Sequence, residues 1–345
     1  MQQRDQNKTI GAPGSVFRQC ACYAGLWCAA LLITAVVSSL LLPYGLWLWH
    51  RLGMSSHADA AVEQPAVLFA HRGGVHLPGV PDNSLKSLET AITQQYGGVE
   101  VDVRESRDGV MIAHHDAGFE RYFGTSCRDH GYVVCPLPDY KACITRAKQA
   151  SQKACHVEHL SAAEIRDLVA EDGESRVPLL EEYIALVSET DMELMLDFKQ
   201  KLSAHNVDRL TEILTSNFSE RMVYLIGKTD PKLQLMRQGQ GKFGIIRLLH
   251  PYLALFGSSD QVFLFQEGHK AGLRDVLYAK FFGIEFIPSI NLQHLGGGQN
   301  EENIDDIIYR GHRLLRKFYE LGVRKFQIDS HFNQDEQLNV ILDIP

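Results

Sequence analysis

Two short runs place carboxylates where a strand should carry apolar side chains. One is Val99-Glu100-Val101-Asp102-Val103-Arg104. Strand side chains alternate between faces, so the three valines share one face and Glu100, Asp102 and Arg104 the other. Leu194-Met195-Leu196-Asp197-Phe198-Lys199 repeats the arrangement, with Asp197 and Lys199 opposite Leu194, Leu196 and Phe198. Parallel strands are buried on both faces, and a buried carboxylate costs several kcal/mol unless it is compensated. One divalent cation compensates all three acids. Three oxygen donors without a soft ligand suit Mg²⁺ or Ca²⁺ better than zinc. For either strand alone, the alternative is a solvent-facing sheet surface laced with ion pairs.

Histidine placement adds acid–base chemistry. Of the 15 histidines, His71 follows an apolar run in Phe69-Ala70-His71-Arg72-Gly73-Gly74, and His115 lies at the end of Val110–Asp116. Two histidines beside a cation can divide the work of general base and general acid. Arg72 and Lys199 supply positive charge for a phosphoryl group.

These residues need a frame that brings them to one rim. Apolar runs that read as strands are Val67–Ala70, Val99–Val103, Leu194–Phe198, Met222–Ile226, Phe243–Leu248, Val262–Phe265, Ile284–Ile290 and Phe326–Ile328. Helical patterns at Ser84–Tyr96, Leu179–Thr190, Ala204–Asn217, Pro231–Gln238, Lys270–Phe282 and Ile304–Leu321 separate them. The alternation predicts α/β with parallel strands, and eight strands predict a (β/α)₈ TIM barrel with its active face at the strands' C-terminal ends. A doubly wound sheet is the alternative, but the first strand–turn lacks a G-x-G-x-x-G fingerprint. Val110–Asp116 returns through Ser106-Arg107-Asp108-Gly109 as a hairpin strand. A cysteine-containing insertion of irregular structure is expected at about residues 125–158.

Composition sets the class. Of the 345 residues 45% are hydrophobic and 22% charged, enough for a full core. With 42 acidic against 34 basic residues and a net charge of −8, a nucleic-acid partner is not expected. Residues 19–49 contain no Asp, Glu, Lys, Arg or His. A run of about 20 apolar residues spans a bilayer, so residues 21–50 are expected to form a transmembrane anchor between a cytoplasmic tail (1–20) and a linker (51–65). Arg4, Lys8 and Arg18 precede the run, which by the positive-inside rule places residues 66–345 outside the cytoplasm, periplasmic if the source is bacterial. A cleaved signal peptide ending near Ala58-Asp59-Ala60 is the alternative. Cys127, Cys135, Cys143 and Cys155 then point to two disulfides, with three possible pairings.

Taken together these motifs resemble the glycerophosphodiester phosphodiesterase family, over about residues 67–330, densely as far as Lys199 and thinly beyond. The family order is a His-Arg-Gly turn, Pro-Glu-Asn-Thr, Glu-x-Asp, His-Asp and a later Glu-x-Lys. Here it reads His71-Arg72-Gly73, Pro81-Asp82-Asn83-Ser84, Glu100-Val101-Asp102, His115-Asp116 and Asp197-Phe198-Lys199. The stretches around Leu160–Ile165, Val177–Glu182 and Gly322–Asp329 also look familial. The resemblance implies a barrel, one divalent cation, and hydrolysis of glycerophosphodiesters to sn-glycerol 3-phosphate and an alcohol. It implies Glu100, Asp102 and Asp197 as metal ligands, His71 and His115 as the acid–base pair, and Arg72 and Lys199 as phosphate holders. His71 is preferred as base and His115 as acid. Asp82 and Asp197 each stand where the family has Glu. The related spider-venom-type sphingomyelinase D enzymes use a Glu, Asp, Asp set, so Asp197 is compatible with metal binding. Two other readings are a phospholipase D-type hydrolase of lysophospholipids or sphingolipids, and a non-catalytic, membrane-anchored protein that binds a phosphorylated ligand.

Overall fold

The computed structural model describes residues 66–329, apart from 75–78, 137–138, 219–222, 246–261, 269, 292–294 and 296–303. Eight parallel strands form a ring: β1 (Val67–Ala70), β2 (Gly98–Glu105), β4 (Glu193–Phe198), β5 (Val223–Gly227), β6 (Lys242–Ile245), β7 (Val262–Glu267), β8 (Glu285–Ile290) and β9 (Lys325–Ile328). Each pairs with the next in this order, β9 returns to β1, and β1 pairs with β2 through Phe69↔Gly98 and Ala70↔Val99. The short strand β3 (Met111–Ala113) hangs antiparallel on β2 as the hairpin return. Helices α1 (Leu85–Thr93), α5 (Leu180–Ser188), α6 (Ala204–Asn217), α7 (Thr229–Arg237), α8 (Leu273–Phe282) and α9 (Ile304–Glu320) alternate with the ring strands. The result is the TIM barrel expected from the strand–helix rhythm. Side-chain oxygens cap the starts of two of these helices: Ser84 accepts from the Ser87 N–H, and Ser203 from the Asn206 N–H.

The lumen is layered by register. Phe69, Met195, Tyr224, Ile226, Phe263 and Ile287 form a buried apolar belt. Below it, at the strands' N-terminal ends, Lys325 Nζ lies 2.7 Å from both Glu193 oxygens, 2.6 Å from Tyr224 Oη and 3.3 Å from Glu285 Oε1. Lys242 Nζ adds a contact to Glu285 Oε2 at 3.2 Å. Above the belt sit the carboxylates of β2 and β4. Gly98 is needed beside the belt, since a Cβ there would fall 2.5 Å from the Phe69 ring.

The insertion is not irregular. It contains α2 (Glu120–Asp129) and α3 (Tyr140–Gln149), and the short α4 (Ala162–Asp167) follows it with a Ser161–Glu164 capping box. In α3 the pattern is sparse: Cys143 and Ala147, one turn apart, are its buried residues. The disulfides Cys127–Cys155 and Cys135–Cys143 resolve the pairing.

One expectation is corrected. The proposed transmembrane anchor, residues 21–50, its tail and its linker lie outside the described residues. Among the described residues no helix is long and apolar enough to cross a membrane. The assignment as a single-pass membrane protein with an extracytoplasmic barrel, which rested on the apolar run at 21–50 and on Arg4, Lys8 and Arg18 before it, is therefore not supported.

Candidate active site

The register of β2 against β4 sets Glu100 beside Met195 and Asp102 beside Asp197, so the alternation that directs Met195 into the lumen directs all three acids there. One oxygen each from Glu100, Asp102 and Asp197 lies within 4.8 Å of the others. Glu100 and Asp102 are fully buried. Gly227 at the end of β5 leaves room for this group: a Cβ on it would lie 2.1 Å from Asp197 Oδ1, and its φ of +80° suits glycine.

The hydrogen-bond accounting is uneven. Glu100 Oε2 accepts from the Arg72 backbone N–H at 2.8 Å, whereas Glu100 Oε1 is buried without a hydrogen-bond partner. Burial, with Asp102 and Asp197 close by, pushes the Glu100 carboxyl well above the usual carboxylate range. Burial also opposes ionisation of Asp102, but the Lys199 and Arg72 cations outweigh it and hold that carboxyl low. Asp102 Oδ2 accepts from Asn83 Nδ2 at 2.7 Å, while Asn83 Oδ1 accepts from the Asp102 N–H at 2.9 Å. Lys199 Nζ sits 2.8 Å from Asp102 Oδ1 and 2.6 Å from Asp197 Oδ2. An orphaned buried oxygen, a carboxyl pushed up by its neighbours and an all-oxygen donor set fit a hard divalent cation.

Each histidine is oriented from behind. His71 Nδ1 lies 2.7 Å from Asp329 Oδ1, at the end of β9. Its Nε2 points toward Glu100, 4.0 Å from Oε2. His115 Nδ1 lies 2.7 Å from Asp116 Oδ1, and the His115 carbonyl accepts from Arg104 Nε and Nη2 at 2.9 and 2.7 Å. A carboxylate on Nδ1 fixes the orientation of each ring and leaves Nε2 as the nitrogen on its far side. The neighbouring His114 does something else: it is buried, stacks on Phe119 at 4.6 Å between centroids, and bonds the Gly118 carbonyl at 2.9 Å.

Arg72 occupies a left-handed backbone conformation with φ +53° and ψ +34°, uncommon for a non-glycine residue and typical of strained functional turns. That turn delivers its N–H to Glu100 and its guanidinium to Asp82, with Nη1 to Oδ2 at 3.1 Å. Burial lowers the Arg72 affinity for its proton, but Asp102, Asp82 and Glu100 together raise it further.

All seven residues singled out from the sequence thus meet at one rim. The motif reading missed three others as site residues. Asp329 was legible only as an acid near the end of the chain. Arg121, on α2, lies off the buried stripe of Phe119, Phe123 and Cys127 and belongs to none of the motifs. Lys232, on α7, reads as a surface lysine, yet it is buried, donates to the Gly244 carbonyl at 3.0 Å, and burial pushes its amine down to about 8 against the pull of Asp197.

Residues 71–237 match the model of the glycerophosphoryl diester phosphodiesterase family. No curated protein sequence matches the chain. Among solved structures, a glycerophosphoryl diester phosphodiesterase from Parabacteroides distasonis superposes with a TM-score of 0.57 at 15% identity, covering 84% of this chain and 94% of its own. An Oleispira antarctica phosphodiesterase in complex with the product sn-glycerol-3-phosphate gives 0.56 at 17% identity, covering 82% and 99%. A glycerophosphodiester phosphodiesterase from Agrobacterium tumefaciens gives 0.52 at 14%, covering 78% and 100%. At these identities the structural likeness establishes the fold. The family match runs from His71 through the acids of β2 and β4 to the end of α7, so residues 71–237 carry a glycerophosphoryl diester phosphodiesterase domain, which puts the protein among the phosphoric diester hydrolases.

Proposed function

We propose that the barrel hydrolyses a glycerophosphodiester to sn-glycerol 3-phosphate and an alcohol, with one divalent cation held by Glu100, Asp102 and Asp197. The observation that carries this reading is the convergence of the three acids, with oxygens within 4.8 Å, on a rim that also holds two histidines with Nδ1 committed to carboxylates. The Oleispira antarctica phosphodiesterase, whose product is sn-glycerol-3-phosphate, supports it by likeness of fold.

In this mechanism Arg72 and Lys199 bind the phosphate oxygens. Glu100, Asp102 and Asp197 would hold a divalent cation, which would supply positive charge to the phosphoryl group. His71 Nε2 takes the proton of the attacking nucleophile as the new P–O bond forms: water gives sn-glycerol 3-phosphate directly, whereas the glycerol hydroxyl next to the ester gives a cyclic glycerophosphate that a second attack, by water, opens to the same product. Asp329 stabilises the resulting imidazolium. His115 Nε2 gives its proton to the departing alkoxide as the old P–O bond breaks, and Asp116 keeps the ring turned for that transfer. Proton transfer by positioned groups of this kind is worth about 10²–10⁴-fold each.

The test is direct. The full chain is assayed on glycerophosphocholine, glycerophosphoethanolamine and lysophosphatidylcholine with Mg²⁺ or Ca²⁺. The expected result is release of sn-glycerol 3-phosphate, abolished by EDTA. His71→Ala and His115→Ala are expected to lower kcat by about 10²-fold or more in folded protein. Full activity in excess EDTA, or headgroup release from the lysolipid alone, would refute the reading.

A further inference from the structure

Arg121, at the start of α2, touches both halves of the site described above. Its Nη2 lies 3.1 and 2.9 Å from Asp82 Oδ1 and Oδ2, and its Nε lies 2.9 Å from Asp116 Oδ2. Asp82 Oδ2 also accepts from Arg72 Nη1, and the other oxygen of Asp116 meets His115 Nδ1. The Asp82 side chain is fully buried, so water cannot replace a lost partner there. The guanidinium carbon stands 4.6 Å from the Tyr122 ring centroid. The approach to α2 is fixed by backbone bonds from the Phe119 N–H to the Cys155 carbonyl and from the Val157 N–H to the Ala117 carbonyl.

We propose that Arg121 is a positioning residue: by joining Asp116 to Asp82, it locks the His115 imidazole in register with the Arg72 guanidinium. The consequence for catalysis rests on the roles assigned to His115 and Arg72 under Proposed function. A planar guanidinium can engage two carboxylates at once along different edges, whereas an ammonium is a single point charge that cannot reproduce both geometries. The argument is therefore about shape as well as charge. Asp82, one methylene shorter than the family Glu, reaches both arginines from its buried position. The strut also couples the disulfide-linked insertion to the reaction, since Arg121 belongs to α2 and α2 carries Cys127.

The experiment has two readouts on the full chain. In the first, the downfield ring-proton signals of His71 and His115, each arising from an Nδ1–H held by a carboxylate, are recorded by nitrogen-15 NMR without added metal or substrate. R121Q and R121K are both expected to lose the His115 signal while the His71 signal, which depends on Asp329, persists and reports an intact fold. In the second, hydrolysis of glycerophosphocholine is measured. R121Q is expected to lose at least about tenfold in kcat, as a misaligned catalytic group does, and R121K to stay within about threefold of R121Q because charge alone does not restore the bridge.

Retention of the His115 signal in a folded R121Q variant overturns the proposal. So does absence of that signal from the unmutated chain, or an R121K variant with unmutated kcat. Loss of both signals in both variants would mark Arg121 as a folding residue and likewise overturn it. If the unmutated chain hydrolyses no glycerophosphodiester, the proposed activity fails, while the strut is still judged by the NMR signals.

Discussion

His71 and His115 are oriented by carboxylates of different origin. Asp116 is the next residue along from His115 and shares its charge with Arg121. Asp329 reaches His71 from the end of the last described strand. Asp329→Asn keeps the size of the side chain but removes its charge and allows the wrong imidazole tautomer, so kcat is expected to fall by about 10²-fold or more with KM little changed. Steady-state kinetics on glycerophosphocholine would check this, and unmutated kcat would exclude Asp329 from the mechanism. Lys199 supports a prediction of opposite sign for binding and turnover. Its ammonium lies within 2.8 Å of two of the three acids and so opposes a second cation there. Lys199→Met is expected to tighten Mg²⁺ or Ca²⁺ binding in titration calorimetry by about tenfold, in line with a Coulomb interaction of a few kcal/mol reduced by lost packing. The same variant is expected to lose turnover.

At the scale of elements, the ring strands were legible in the sequence and the insertion was not. Val99, Val101 and Val103 against Glu100, Asp102 and Arg104 give a period of two that only a strand satisfies, and the observed β2 follows it. Helix α3 offers no such signal, with only Cys143 and Ala147 buried, and the short stripe of α2, Phe119, Phe123 and Cys127 against Ile112 of β3, lies in a stretch that carries no family motif. Arg121 was hidden because it lies off that stripe, and Asp329 because nothing local ties it to His71. Within the insertion, burial pushes His156 down to about 4, against the ordinary 6.5. Between those two values the unfolded segment binds more protons than the folded one. The insertion's stability is thus complete above about pH 6.5 and declines as pH falls toward 4. Amide exchange of residues 130–157, corrected for intrinsic rates, is expected to be less protected at pH 5 than at pH 7. Equal protection would show that His156 stays as accessible to protons folded as unfolded.

At the scale of the molecule, the barrel separates stability from chemistry. The ionic cluster of Glu193, Lys242, Glu285, Lys325 and Tyr224 closes one end of the lumen, with the apolar belt between it and the acids. Lys325→Met leaves the partly buried Glu193 without its cation and Glu285 with Lys242 alone, so the loss is expected to fall below the about 3–5 kcal/mol of a broken, fully buried pair. A lower thermal midpoint is expected, with kcat per folded molecule unchanged; a kcat that falls in step with stability would show that the two ends are not independent.

The ring closes late. β1 pairs with β9, and His71 meets its carboxylate partner 258 residues further along the chain. The stretch that carries the family signature ends at residue 237, well short of that partner. A nascent chain on the ribosome therefore holds the whole of the matched stretch well before it holds the strand that closes the ring. Synthesis interrupted before Lys325 releases a polypeptide in which His71 has no Asp329 beside it and β1 has an open flank.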